Sequence, residues 1–254
     1  MRTLKEREVV MSRTISLFLP GLILLFAAGC QSRGPVDVLV VTGGHGYDHE
    51  AFAGMFDSFE GLECDIEKTG KNPGALFDDV SGFGYDSIVL YNFGQELSED
   101  HRENFKAVLD RGVGLTVVHH AMAAFPKWRK FEDIIGGTFV LAEQTRDGKF
   151  YPNPKWKHDV DMDIEVVDPG HAITEGVEDF TIHDETYKEW VYHEGNHLLL
   201  ATGNELSNRQ IAWTRPHPKT RVFYIQLGHG KQAFENENFK RLLRQGIIWT
   251  SGKQ

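Results

Sequence analysis

The run VDVLVVTG, from Val36 to Gly43, leaves a chain few ways to fold. It is apolar nearly throughout and rich in valine, and it lacks the polar alternation of a strand with one wet face. Such a strand is buried on both sides, as in a parallel sheet with helices over both faces. The glycine-rich turn GGHGYDHE then passes into a helix with apolar residues at helical spacing. ECDIEK (Glu63–Lys68) alternates like an edge strand, and YDSIVLYN (Tyr85–Asn92) is a second buried one. Ser98 caps a helix that stops at Gly112, and GLTVVHH is the following strand. This rhythm predicts βαβ units: an α/β, flavodoxin-like three-layer sandwich with a mostly parallel central sheet, in a single domain.

Beyond Gly137 the pattern loosens. Residues 143–160 are polar and rich in Pro and Lys, and read as a long loop. Met162–Asp168, His197–Gly203, Arg209–Arg215 and Arg221–Gly228 read as strands, and Asn236–Thr250 as an amphipathic closing helix. No linker, repeat or low-complexity tract divides this region.

The first thirty residues carry a different signal. Met11-Ser-Arg13 is a short basic start, with Met11 a candidate true start, and the apolar run after it ends in Ala27-Ala28-Gly29-Cys30. That is a secretory signal pattern with a lipobox, in which Cys30 becomes the lipidated first residue; an uncleaved anchor is the alternative. The expected organisation is a lipoprotein signal peptide over 1–30, a short linker over 31–35 and one domain over 36–251. The product is expected in the cell envelope, exported and held to the membrane by a lipid anchor. Cys64 is then the only other thiol, so no internal disulfide can form. A net charge of −10 with no basic stripe argues against a nucleic-acid partner.

The chain's 12 histidines are unevenly placed. His45 and His49 follow the first buried strand, with Asp48 and Glu50 beside them. His119 and His120 end the central strand, and His229 sits between Gly228 and Gly230 after the strand at Arg221. Turns after parallel strands converge on one sheet edge, where α/β proteins bind ligands. The second half adds His171 and the run HDETY, from His183 through Asp184 and Glu185 to Tyr187. Each has a plain structural alternative. His45 reads equally as a solvated loop residue, His183–Glu185 as a helix cap, and strand alternation sends His119 and His120 to opposite sides. Glycines around His229 point instead to a close backbone approach.

The turn VVHHA stands where a glutamine amidotransferase of this fold carries its nucleophilic cysteine. Cys64 lies in an edge strand, and no Gly-x-Ser-x-Gly elbow is present. Covalent cysteine or serine catalysis at this turn is excluded, whereas histidines suit acid–base work or metal ligation.

Taken in order, VLVVTGGHGYDHEAF, GVGLTVVHHA, DPGHAITEGVEDFTIHDETY and RVFYIQLGHGKQAF resemble the ThuA-like (trehalose-utilisation) family of the class I amidotransferase-like superfamily. The resemblance runs from about Val36 to Ser251. It places the family histidine at His119, with His120 where a small residue is usual. It also places the acidic-tyrosine motif at Asp184, Glu185 and Tyr187, the Gly-His at Gly228-His229, and a His-Pro-Ile, here without its proline, at His171. It implies carbohydrate metabolism and keto-sugars.

Two functions are compatible with these residues. The first is an isomerase- or epimerase-like enzyme moving a proton beside a sugar carbonyl. Its catalytic groups would be His119, His120, His229, Glu185 and Tyr187, and its substrate contacts His45, His49, Asp184 and His171. A divalent metal such as zinc would sit among His49, His119, Glu185 and His229. The second is a non-catalytic sugar-binding module in which Trp128, Trp156, Trp190 or Trp213 stack on sugar faces.

Overall fold

In the computed structural model, residues 34–253 are described. The signal-peptide and Cys30 expectations lie outside them. Among the described residues, thirteen strands and five α-helices follow one another. The first half holds β1 (Val36–Gly43), α1 (His49–Asp57), β2 (Leu62–Lys68), β3 (Ser87–Asn92), α2 (Glu99–Asp110) and β4 (Gly114–Val118). α3 (Arg129–Ile135), β5 (Gly137–Thr138) and a hairpin of β6 (Gln144–Arg146) and β7 (Lys149–Tyr151) come next. β8 (Lys155–Val166), β9 (Phe180–Lys188), β10 (Val191–Tyr192), β11 (His197–Thr202), β12 (Gln210–Pro216) and β13 (Arg221–Ile225) follow, before α4 (Lys231–Phe234) and α5 (Glu237–Ser251).

Nine strands form one sheet in the order β2-β1-β3-β4-β13-β12-β11-β8-β9. The α/β class, single domain and amidotransferase-like layering expected from the sequence are present. The sheet itself is mixed: pairing is parallel from β2 through β13 and antiparallel from β13 to β9. The continuous apolar runs fall in the parallel half. In β1, Val36, Val38 and Val40 enter the core beneath α1 and α5, while Leu39 and Val41 enter the core on the other face, with residues of α2 and α3. Alternation along one strand thus feeds two cores, which is why no polar alternation shows in its sequence. β2, at the sheet edge, has mostly exposed side chains.

Side-chain caps fix the helix starts. Asp48 accepts from the Ala51 N–H, Ser98 from the His101 N–H, and Asn236 from the Asn238 and Phe239 N–H groups. α5 buries Phe239, Leu242, Leu243 and Ile247, the i, i+3, i+4, i+8 stripe of an amphipathic helix.

Two segments differ from the sequence reading. The loop expected over 143–160 contains the β6–β7 hairpin and the first half of β8, which starts seven residues before Met162. The run HDETY is neither cap nor loop but the middle of β9. Mixed burial along β9 and the polar residues at the start of β8 hide these segments from a periodicity reading.

Candidate functional site

The sheet edge at the carboxyl ends of β1, β4 and β13 gathers the site. β4 ends at Val118, and the chain turns at once through a 3-10 segment, His119–Ala123. His119 makes that turn with a left-handed backbone, φ 56°, a conformation uncommon for a residue with a Cβ. Ala121, Ala123 and Ala124 let the turn pack fully buried. Strand alternation therefore stops at Val118. The rings of His119 and His120 lie near one another, 5.2 Å between centroids, and do not divide between opposite faces.

His119 is held at both nitrogens. Its Nδ1–H donates to the Gln226 carbonyl at 2.6 Å, which leaves a lone pair on Nε2. The Tyr187 hydroxyl donates to Nε2 at 2.9 Å, and burial holds that phenol far above its ordinary pKa, so it remains a donor. A backbone bond on one nitrogen that presents the other is how ligating or basic histidines are oriented. Tyr224 adds a hydroxyl bond to the His119 carbonyl at 3.1 Å.

Three donor atoms meet around that lone pair. His119 Nε2 is 3.1 Å from Glu185 Oε2 and 3.2 Å from His229 Nδ1, and His229 Nδ1 is 3.2 Å from the same carboxylate oxygen. Among the described residues this is the one His/Cys/Asp/Glu group close enough to share an ion. Atoms that each lie about 2.1 Å from a common ion stand roughly 3.0–3.4 Å from one another, so the set fits a two-histidine, one-carboxylate ligand site. Burial works to raise the Glu185 carboxyl, but the neighbouring imidazoles outweigh it and hold the group well below the usual range. Glu185 in turn raises His229, against burial.

Asp184 explains how His229 reaches this position. Its carboxylate is buried and accepts from the backbone N–H groups of Gly228 at 2.7 Å, His229 at 2.9 Å and Glu185 at 2.9 Å. Burial raises the Asp184 carboxyl, and the three donors oppose that shift. In a flat sheet β9 would lie four strand spacings of about 4.8 Å from β13. These bonds therefore require the β8–β9 ribbon to curl over the sheet edge. Gly228 takes φ 116°, and a Cβ there would stand 2.9 Å from Phe239 Cζ, so the close approach expected of the Gly-His-Gly turn is made to α5. Tyr91 adds a hydroxyl bond to the Gly228 carbonyl at 2.8 Å.

Several expected site residues take other positions. Asp184 faces backbone, not solvent, and is a positioning residue rather than a substrate contact. His49 lies on the exposed start of α1 with its ring against Tyr47 at 4.1 Å, apart from the ligand group. His171 accepts from the Ile173 N–H in its own turn and packs near Trp249 and His197, away from the site. His120 donates from Nε2 to the Tyr91 carbonyl and is held neutral by burial; it forms part of the cleft wall. His45 does reach the cleft, 4.6 Å from the His120 ring, and burial lowers its pKa. Trp128, Trp190 and Trp213 are core residues.

One residue escaped the sequence reading. His158 Nδ1 lies 3.2 Å from Glu185 Oε1, the oxygen that the ligand group leaves free, and its ring is 4.6 Å from that of His229. A register break in β8 between Lys157 and Val160, with Asp159 at φ 57°, accompanies this placement. The only available signal was a histidine in a polar run, and that signal is weak.

Glu185, Tyr187, His45, His120 and His158 border a cleft of about 450 Å³, within the range of small-molecule sites. The elbow position that would carry a nucleophile holds His119, while Cys64, half-buried in β2, has its thiol pushed up to about 12 by burial. The fold and site thus define an amidotransferase-like α/β protein without the amidotransferase cysteine. Residues 37–250 match the ThuA family model, described as trehalose utilisation, and the chain belongs to that family. A protein described as ThuA-like from Parabacteroides merdae is similar in structure, with TM-score 0.70 and 20% identity, over 87% of this chain and 91% of that one. A protein described as a GMP synthase component from Thermoplasma acidophilum gives TM-score 0.50 and 13% identity, over 87% and 96%. A cold-adapted β-galactosidase from Rahnella gives TM-score 0.54 and 12% identity, over 85% of this chain and 31% of that one. Comparison with curated proteins gives no match.

Proposed function

We propose that the protein is a carbohydrate-metabolism enzyme that moves a proton beside the carbonyl of a keto-sugar, at a centre able to hold a divalent cation such as zinc. The observation that carries this is the meeting of His119 Nε2, Glu185 Oε2 and His229 Nδ1 within 3.1–3.2 Å beside the cleft. The donor set, two imidazoles and a carboxylate, is one that zinc and related ions accept. A bound ion would polarise a carbonyl oxygen. The chain's own residues would do the rest. Gln226 fixes His119, the Tyr187 hydroxyl stands beside its Nε2, Asp184 fixes His229, and His158 and His45 flank the cleft as groups that take or return a proton. A positioned acid or base of this kind contributes about 10²–10⁴-fold.

The test is deuterium incorporation from D₂O into a panel of keto-glycosides, disaccharides and aryl and alkyl glycosides alike, followed by NMR with and without a chelator, together with metal content by mass spectrometry. Exchange at a carbon beside the carbonyl that disappears with chelator supports the reading. Exchange that chelator leaves intact removes the metal, and absence of exchange across the panel removes the chemistry. Trp156, exposed at the cleft, supports the second reading, a sugar-binding module. Saturable binding without product would select it.

The apolar run ending at Cys30 supports export and lipid anchoring at the cell envelope. Radiolabelled palmitate should enter the full-length chain and be lost in Cys30→Ser; equal labelling of both would refute the anchor.

A further inference from the structure

The residues lining the cleft are of two kinds. One is polar and gathered around Glu185: His45, His120, His158 and Tyr187. The other is apolar: Met122, Phe139, Val140, Leu141 and Trp156, with Asn153 as the polar side chain among them, while Phe93 lies beside His45 and His120. Leu141 and Trp156 are 47% and 58% exposed and both line this cleft, and apolar surface gathered in one groove marks a ligand site. Phe139 packs on Tyr187 with ring centroids 5.1 Å apart, so the apolar wall begins directly beside the polar centre. Among the described residues, no lysine or arginine lines the cleft.

We propose that the substrate is a neutral glycoside with an aromatic or other apolar aglycone. Its sugar ring lies at the His/Glu/Tyr side, and its aglycone lies against Trp156, Leu141 and Phe139. This rests on reading the centre as a sugar site. A second sugar ring on the apolar side would bring several hydroxyls to a wall with one amide to meet them, and a desolvated hydroxyl without a partner weakens binding. An aryl ring has no such need, and it stacks on an indole. A phosphorylated sugar finds no lysine or arginine along the cleft to pair with its phosphate.

Calorimetric titration of the full-length chain tests this with phenyl and methyl 3-keto-glucosides, trehalose and glucose 6-phosphate. The phenyl compound should bind at least about tenfold more tightly than the methyl one, the order expected from burying an aromatic ring. Trp156→Ala should remove most of that ratio and Trp156→Phe should restore it. Equal affinities for the phenyl and methyl compounds overturn the aglycone assignment and leave the sugar site standing. Absence of binding by either removes both. Tighter binding of trehalose or glucose 6-phosphate also overturns the assignment, as does an undiminished ratio in Trp156→Ala.

Discussion

Asp184 is buried and bonded to backbone, and the geometry of the centre depends on it. One carboxylate satisfies three backbone N–H groups and ties β9 to the turn after β13. Removing it leaves those donors buried without partners. Asp184→Ala should therefore cost on the order of 3 kcal/mol, a fall in Tm of several degrees for a domain of this size. His229 would lose its fixed position, so affinity for zinc should fall about 10–100-fold, as when other supporting groups of a metal site are lost. Thermal denaturation and zinc titration check this. An unchanged zinc affinity in a folded variant would show that His229 is held by other means.

At the scale of elements, the site is made by what strands do at their ends. β4 stops and turns at His119, β13 runs on through Gln226 to a glycine, and β8 breaks its register beside His158. The glycine is the one position in this set where a side chain has no room. Gly228→Ala places a methyl 2.9 Å from Phe239 Cζ on a backbone at φ 116°. The variant should lose about 1–3 kcal/mol from overpacking and left-handed strain, read as a lower midpoint in urea. A midpoint within error of the parent would mean that α5 yields at no cost.

For the whole molecule, histidines govern the response to acid. Burial lowers the pKa of His171, His193 and His217, all away from the centre. His183 moves the other way through its bond to Asp161, but it is exposed. A histidine whose folded pKa lies below its unfolded value of about 6.5 binds fewer protons folded than unfolded, so stability rises with pH across that window. Stability is thus full above the unfolded value and lost as pH falls through the folded ones. Urea midpoints should be lower at pH 5.5 than at pH 7.5. An equal or higher midpoint at pH 5.5 would mean that the raised histidines dominate.

The sequence by itself determined the α/β class, because valine runs such as Val36–Val41 are stable only when buried on both faces. It also determined the missing nucleophile, because residue identity at His119 needs no coordinates. It showed which strand-end turns carry His45, His119 and His229, since parallel strands bring their carboxyl ends to one edge. Local pattern could not show that Glu185 and Tyr187, on a strand four positions from β13, curl back to the same edge. Nor could it separate Asp184, which holds the frame, from Glu185 and His158, which line the cleft. His49 and His171 looked equivalent to the others in the chain and lie elsewhere in space. Those assignments are decided by long-range hydrogen bonds such as His119 to Gln226 and Gly228 to Asp184. Their partners are distant in the chain, so no periodicity records them, and they form only when the sheet closes on itself.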